Sequence, residues 1–165
     1  MSLVARVHRK TRDLVRDAAE DLLLADSAPL LAIDRAERWS FDVAGGDSRA
    51  DVQAILEDTT LVVNPNVHRW RWEEDAEAAP RGTRLEIEVH DRVDALGRSV
   101  LRAVRERRGL RSVSAVAHSV VWTIDLEADR AAAESLARRL VGEGERGAGA
   151  LANPHSQEIR WRVIA

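Results

Sequence analysis

The residue types that perform chemistry are present in this sequence, but they are not gathered into motifs. The histidines (His8, His68, His90, His118 and His155) lack a second ligand at the spacing of a zinc site, and there is no cysteine. No serine lies in a Gly-x-Ser-x-Gly sequence, and no glycine-rich stretch ends in the Lys-Ser or Lys-Thr of a phosphate-binding loop. We therefore predict no catalytic residue, no metal and no bound cofactor.

Two aspartates and an arginine cluster are the remaining charged candidates. Asp42 and Asp125 follow the similar sequences Trp-Ser-Phe and Trp-Thr-Ile, and strand alternation places each opposite the apolar residue before it. We interpret both as solvated strand residues rather than a catalytic pair. The arginines from Arg102 to Arg111 are typical of the last turn of a helix, where cations oppose the macrodipole. An anionic ligand or partner is the alternative interpretation.

The sequence Arg69-Trp70-Arg71-Trp72 is the best candidate for a binding surface. Residues two apart in a strand share a face, so the two rings are expected to project together beside the arginines. Tryptophan and arginine are the commonest hot spots of protein interfaces, which predicts a partner-binding anchor here. Base stacking is the rival interpretation. A chain with 25 basic and 28 acidic residues lacks the positive charge typical of nucleic-acid binding.

These candidates belong to an internal repeat. Trp39-Ser40-Phe41-Asp42-Val43 matches Trp122-Thr123-Ile124-Asp125-Leu126, and further matches occur in the same order around both sequences. They are Val7-His8 with Val89-His90, Asn64-Pro65 with Asn153-Pro154, and Arg71-Trp72 with Arg160-Trp161. We predict two copies of one sequence, 1–73 and 83–165, joined by a charged, alanine-rich linker at 74–82.

Each copy has the pattern strand, helix, two strands, helix, strand. In the second copy, alternating apolar residues from Leu85 to Val89 predict a strand, and helical spacing from Val93 to Val104 predicts a helix. The β-branched stretch from Val113 to Leu126 is long enough for two strands with a tight turn near His118-Ser119. A second helix, a glycine-rich insertion from Gly142 to Gly149 and a last strand complete the copy.

This order predicts an α+β protein made of two ferredoxin-like βαββαβ units in tandem, each a four-stranded antiparallel sheet with two helices on one face. We expect the units to pack together as an intramolecular pseudo-dimer, with core packing as the default for the tryptophans at matched positions. No apolar run reaches the roughly 20 residues needed to cross a bilayer. The first residues become charged too early for a signal peptide, so we expect a soluble cytoplasmic protein.

Short motifs in this order resemble the PurS family, the small subunit of phosphoribosylformylglycinamidine synthase in de novo purine synthesis. The segment from Val93 to Val104 resembles the family's V-L-D-P-Q-G segment, with Asp94 and Gly97 at matching positions. The residues before the last strand, Leu151-Ala152-Asn153-Pro154, match the family's L-L-A-N-P, and the first copy keeps Asn64-Pro65. Three features depart from the family. PurS proteins are normally single units that dimerise, so a covalent tandem is unusual. The Gly-Lys of its hairpin turn is missing from both copies, and the first copy has Asp13 followed by Arg16 where glycine would stand.

The resemblance implies a non-catalytic subunit of an ATP-dependent amidotransferase. In that enzyme a synthetase subunit activates the formamide oxygen of formylglycinamide ribonucleotide, and a glutaminase subunit releases the ammonia that displaces it. Two small-subunit units bridge these partners and keep ammonia out of bulk solvent. A tandem chain would supply that pair by itself. A ferredoxin-like module that binds a small molecule and regulates another pathway is the alternative function.

The residues that carry the resemblance have two possible roles. Asp94 and Gly97 are candidates for contact with a partner and equally for shaping the start of a helix. Asn64-Pro65 and Asn153-Pro154 are expected to set the start of each last strand, because proline fixes φ and cannot extend a preceding helix.

Overall fold

The computed structural model describes residues 1–45, 48–75, 79–142 and 149–164. The strands are β1 (Ser2–Arg9), β2 (Leu30–Val43), β3 (His68–Trp72), β4 (Thr83–Asp91), β5 (Val113–Leu126) and β6 (Gln157–Ile164). The helices are α1 (Leu14–Ala25), α2 (Ser48–Glu57), α3 (Ala95–Arg108) and α4 (Arg130–Val141). The strands form an antiparallel sheet in the order β3-β1-β2-β5-β4-β6. The predicted α+β class is confirmed.

The two middle segments are single strands, so the predicted tight turn near His118-Ser119 is wrong. β2 and β5 are each 14 residues long and run without interruption. Neither strand contains glycine, proline or asparagine, the residues that most strongly favour a reversal of the chain. Each half of the chain therefore has the order βαβαβ.

Segments from both halves of the chain combine in each of two compact units. The first unit contains Met1–Arg12, Ala36–Ala76 and Val93–Ser119, and the second contains Asp13–Arg35, Glu77–Arg92 and Val120–Ala165. β2 and β5 contribute one half to each unit, while α1 belongs to the second unit and α3 to the first. Each unit has four strand segments and two helices, which is compatible with a ferredoxin-like unit. The boundaries 1–73 and 83–165 stay a prediction about the sequence repeat.

In the first unit the core forms between the strands and the apolar faces of α2 and α3. Ala5 of β1 pairs with Trp39 of β2 on one side and with Trp72 of β3 on the other. Both rings are buried, and Val52 of α2 and Val104 of α3 belong to the same apolar cluster. α3 ends at Gly109, whose φ of 65° provides a left-handed C-cap.

In the second unit the corresponding positions pair in the same register. Ile87 of β4 pairs with Trp122 of β5 and with Trp161 of β6. Trp122 is buried, and Trp161 is half-buried against the same core. Asp129 is the N-cap of α4, because its carboxylate accepts a hydrogen bond from the Ala132 N–H at 2.8 Å.

The remaining predictions concern membrane-spanning helices, the insertion and the linker. Every helix in the described ranges is too short or too polar to cross a lipid bilayer. Most of the predicted insertion from Gly142 to Gly149, and the middle of the predicted linker at 74–82, lie outside the described residues.

Candidate partner-binding site

β3 carries the predicted anchor residues at one end of the strand order. It pairs with β1 along a register that runs from Trp72 opposite Ala5 to His68 opposite Arg9. The rings of Trp70 and Trp72 meet edge to face, with centroids 5.0 Å apart and planes at 85°. The two rings therefore share one strand face, as their spacing predicts. An edge strand is also a place where another protein can add a strand or dock.

The two tryptophans differ in exposure. Trp72 is 7% exposed and lies in the core of the first unit, with the guanidinium carbon of Arg49 4.5 Å from its ring centroid. It is thus a core residue rather than part of an exposed anchor. Trp70 is half-buried at the margin of that core, and Arg69 beside it is exposed. Arg71 is half-buried and donates a hydrogen bond to the Asp75 carbonyl at 3.3 Å.

The end of β3 is held by an ion-pair cluster. Glu73 accepts hydrogen bonds from Arg6 at 3.1 Å and from Arg38 at 2.9 Å through each of its two oxygens. Burial alone would raise the pKa of Glu73, but the hydrogen bonds and charges of Arg38 and Arg6 outweigh it and lower that pKa. The strand that carries Trp70 is therefore fixed to β1 and β2 by charge as well as by backbone bonds.

Asp94 and Gly97 form a closed corner between the start of α3 and β5. One carboxylate oxygen of Asp94 accepts from the Gly97 N–H at 2.7 Å, and the other accepts from the His118 N–H at 2.8 Å. A methyl group at position 97 would lie 2.6 Å from the carbonyl oxygen of Val116 and would also clash with the Asp94 carboxylate. Only glycine allows this approach of helix and strand. Of the two roles predicted for Asp94 and Gly97, partner contact and shaping of the helix start, these contacts favour the second.

The two Asn-Pro sequences form equivalent turns. The side-chain oxygen of Asn64 accepts from the Asn66 N–H at 3.1 Å, and Lys10 donates to the Pro65 carbonyl at 2.8 Å. In the second turn, the side-chain oxygen of Asn153 accepts from the His155 N–H at 3.0 Å, and Arg92 donates to the Pro154 carbonyl at 3.3 Å. Each turn lies just before a last strand, and its asparagine side chain closes it on the backbone N–H two residues further on.

Asp125 departs from its prediction, whereas Asp42 is exposed as expected. Asp125 is 4% exposed and accepts hydrogen bonds from Arg84 at 2.7 and 3.0 Å and from the Arg81 N–H at 3.2 Å. Burial works to raise the pKa of Asp125, but the bonds from Arg84 and Arg81 outweigh it and lower that pKa. The reason is strand register: Asp125 lies opposite Arg84, while Asp42 lies opposite Ser2.

A polar cluster around Glu37 was not predicted from the sequence. Its carboxylate accepts from the Trp39 indole N–H at 3.3 Å and lies 3.7 Å from His118 Nε2. The His118 ring contacts the Trp39 ring with centroids 4.6 Å apart. The closeness of His118 is the main cause that lowers the pKa of Glu37, against the effect of burial. One signal was available, because Glu37 lies two residues before Trp39 and so shares its strand face.

The arginine cluster of α3 acts mainly at the helix end. Arg105 donates to the carbonyls of Val113 and Ser114, both at 3.1 Å, and Arg108 donates to the Asp58 carbonyl at 3.0 Å. These bonds fasten the last turns of α3 within the first unit, as the helix-end interpretation expects. Among the described residues, no cluster of histidines and carboxylates is suited to hold a metal.

No protein-family model matches the chain, and no curated protein matches it. The resemblance to the PurS family therefore depends on the motifs named above.

Proposed function

We propose that this chain is a tandem PurS-like protein. It serves as the non-catalytic small subunit of phosphoribosylformylglycinamidine synthase in the cytoplasm, where it bridges the synthetase and glutaminase subunits and supports ammonia transfer. The observation that carries the proposal is strand register. Ala5 pairs with Trp39 and Trp72, and Ile87 pairs with Trp122 and Trp161, so each half supplies the same pairings. Duplication of one ferredoxin-like unit accounts for this agreement.

The composition of the compact units supports a covalent pair. The first unit includes α3 from the second half of the chain, and the second unit includes α1 from the first half. Two separate chains that exchanged these segments would form the same units only at sufficient concentration. Linking the halves makes the exchange intramolecular, which is the advantage of a fused pair in a scaffold.

The motif geometry supports the family rather than the fold alone. The Asp94 carboxylate needs Gly97 to reach both its own helix and β5, and each Asn-Pro turn is tied to the preceding strand by Lys10 or Arg92. These are the positions that resemble the PurS motifs.

The direct test is size-exclusion chromatography of the chain with the synthetase and glutaminase of the same organism, with glutamine and ADP present. Co-elution of the three proteins is the expected result. Three separate peaks would overturn the proposal, and a thermal-shift screen of small metabolites would then test the regulatory module.

A variant of Trp70 sharpens this test. Trp70→Ala is expected to weaken the complex by roughly tenfold or more, because a half-buried indole at an edge strand is the strongest anchor type on this surface. Ile159→Ala on β6 is the matched control, since Ile159 pairs with Val89 as Trp70 pairs with Val7. Circular dichroism must show both variants folded. Equal binding by the wild type and Trp70→Ala would show that Trp70 is not part of the interface.

A further inference from the structure

α1 presents an apolar face that the second unit does not cover. Its Ala19 and Leu23 lie in the core, whereas Leu14, Val15 and Leu22 are between 46% and 69% exposed. Leu14, Ala18 and Leu22 follow one another at helical spacing, so they form a continuous stripe along the helix. Exposed leucines gathered on one helix are typical of an interaction surface.

α3 has small residues where α1 has large ones. Alignment of the N-cap residues Asp13 and Asp94 places the α1 stripe Leu14, Ala18 and Leu22 at the α3 positions Ala95, Ser99 and Ala103. Leucine side chains on one helix can fill the spaces that alanine and serine leave on another, as in ridges-into-grooves packing. The two faces are therefore complementary in size.

The charges beside the stripe are reversed between the two helices. The same alignment places Asp17 and Asp21 of α1 at the positions of Arg98 and Arg102 of α3. Asp21 and Arg102 are both exposed, while Asp17 is half-buried and paired with Arg16 at 2.5 Å. Contact of α1 with α1 would bring acidic groups together, and contact of α3 with α3 would bring arginines together. Only a contact of α1 with α3 is favourable in charge.

We propose that the chain self-associates through these faces, with α1 of one molecule docked on α3 of a second copy. Leu14 and Leu22 pack against the small residues of α3, and Asp21 lies beside Arg102. Within one molecule every residue named in these faces is exposed except Ala103, which is half-buried, so a second copy is the occupant that supplies each face with its complement. The inference does not depend on the proposed function.

The test is sedimentation velocity of the full chain over a range of concentrations. The wild type is expected to exceed the monomer mass of 18.3 kDa as its concentration rises. Asp21→Arg and Arg102→Asp are each expected to raise the dissociation constant roughly tenfold, because each reversal creates like-charge contacts. An equimolar mixture of the two variants restores opposite charges across the contact, so it is expected to associate like the wild type.

Glu127→Arg, a charge reversal at an exposed residue outside both helices, is the matched control and is expected to associate normally. Circular dichroism of each variant separates loss of contact from loss of fold. A wild type that stays at the monomer mass at all concentrations would overturn the proposal and would leave the faces to a different protein. Association that neither reversal weakens, or that the mixture does not restore, would also overturn it.

Discussion

Asp42 and Asp125 occupy the same place in the two halves of the chain and have opposite environments. Asp125 is buried against Arg84 in the second unit, and Asp42 is exposed opposite Ser2 in the first. The difference lies in the partner strand, since the local sequences around the two aspartates are alike. A carboxylate whose cross-strand neighbour is arginine can be buried, because the pair compensates part of the cost of desolvation.

The N-caps of α1 and α3 likewise differ in the partner that a distant part of the chain supplies. Asp94 caps α3 and takes its second hydrogen bond from the His118 backbone, an approach that Gly97 permits. Asp13 caps α1, but Arg16 stands where glycine would be, and its second oxygen accepts from the Arg35 guanidinium at 3.1 Å. In one unit a close backbone contact completes the cap, and in the other a long side chain does so.

Removal of the Asp125 carboxylate should give the largest difference between the halves. Asp125→Ala leaves the Arg84 guanidinium buried without its carboxylate partner, and loss of one member of such a pair costs about 3–5 kcal/mol of unfolding free energy. Asp42→Ala, the control at the matching exposed position, should change the free energy by less than about 0.5 kcal/mol. Urea denaturation followed by circular dichroism measures both. Equal losses would contradict the assignment of the buried pair.

A methyl group at the start of α3 should give the next largest effect. Gly97→Ala forces Val116 and Asp94 away from their present positions, and such overpacking costs about 1–3 kcal/mol. Arg16→Ala at the matching position of α1 removes only partly exposed ion pairs with Asp17 and Glu20, so it should cost less than about 1 kcal/mol. The same denaturation experiment applies. A Gly97→Ala protein as stable as the wild type would show that the corner can relax.

Local signals allowed the element types to be predicted, but not the assembly of the elements. Asp129 and Gly109 mark a helix start and a helix end through chemistry that acts within one turn, so both were predictable. The assignment of α1 and α3 to units was not predictable, because the apolar stripe of a helix does not specify which sheet it covers. Likewise, alternation places Trp70 and Trp72 on one face, but it does not show that Trp72 lies in the core while Trp70 is only half-buried beside it. The burial of Asp125 required the strand register.

The smallest expected effect is a pH dependence that distinguishes Glu73 of the first unit from Asp125 of the second. Both carboxyl groups have a pKa lowered by folding, from ordinary values of 4.5 and 3.8, because their arginine partners outweigh burial. A lowered pKa contributes stability above the unfolded value, and this contribution is lost as pH falls through the folded value. Wild-type stability should therefore fall below about pH 4.5, where the contributions of Glu73 and Glu37 begin to be lost, and Asp125 should add to the slope below 3.8.

Two variants separate these contributions in urea titrations between pH 6 and pH 3, a range chosen to span both ordinary pKa values. In Glu73→Gln the unfolding free energy should fall less steeply below about pH 4.5. Glutamine does not titrate, so the unfolded chain no longer takes up a proton at this position before the folded chain does. Asp125→Asn should be less stable at neutral pH, yet its slope should be shallower only below 3.8. An acid slope that Asp125→Asn leaves unchanged would mean that Arg84 does not hold this carboxylate ionised in solution. Asp125 would then behave in this titration as though no arginine lay opposite it, contrary to the register that pairs it with Arg84.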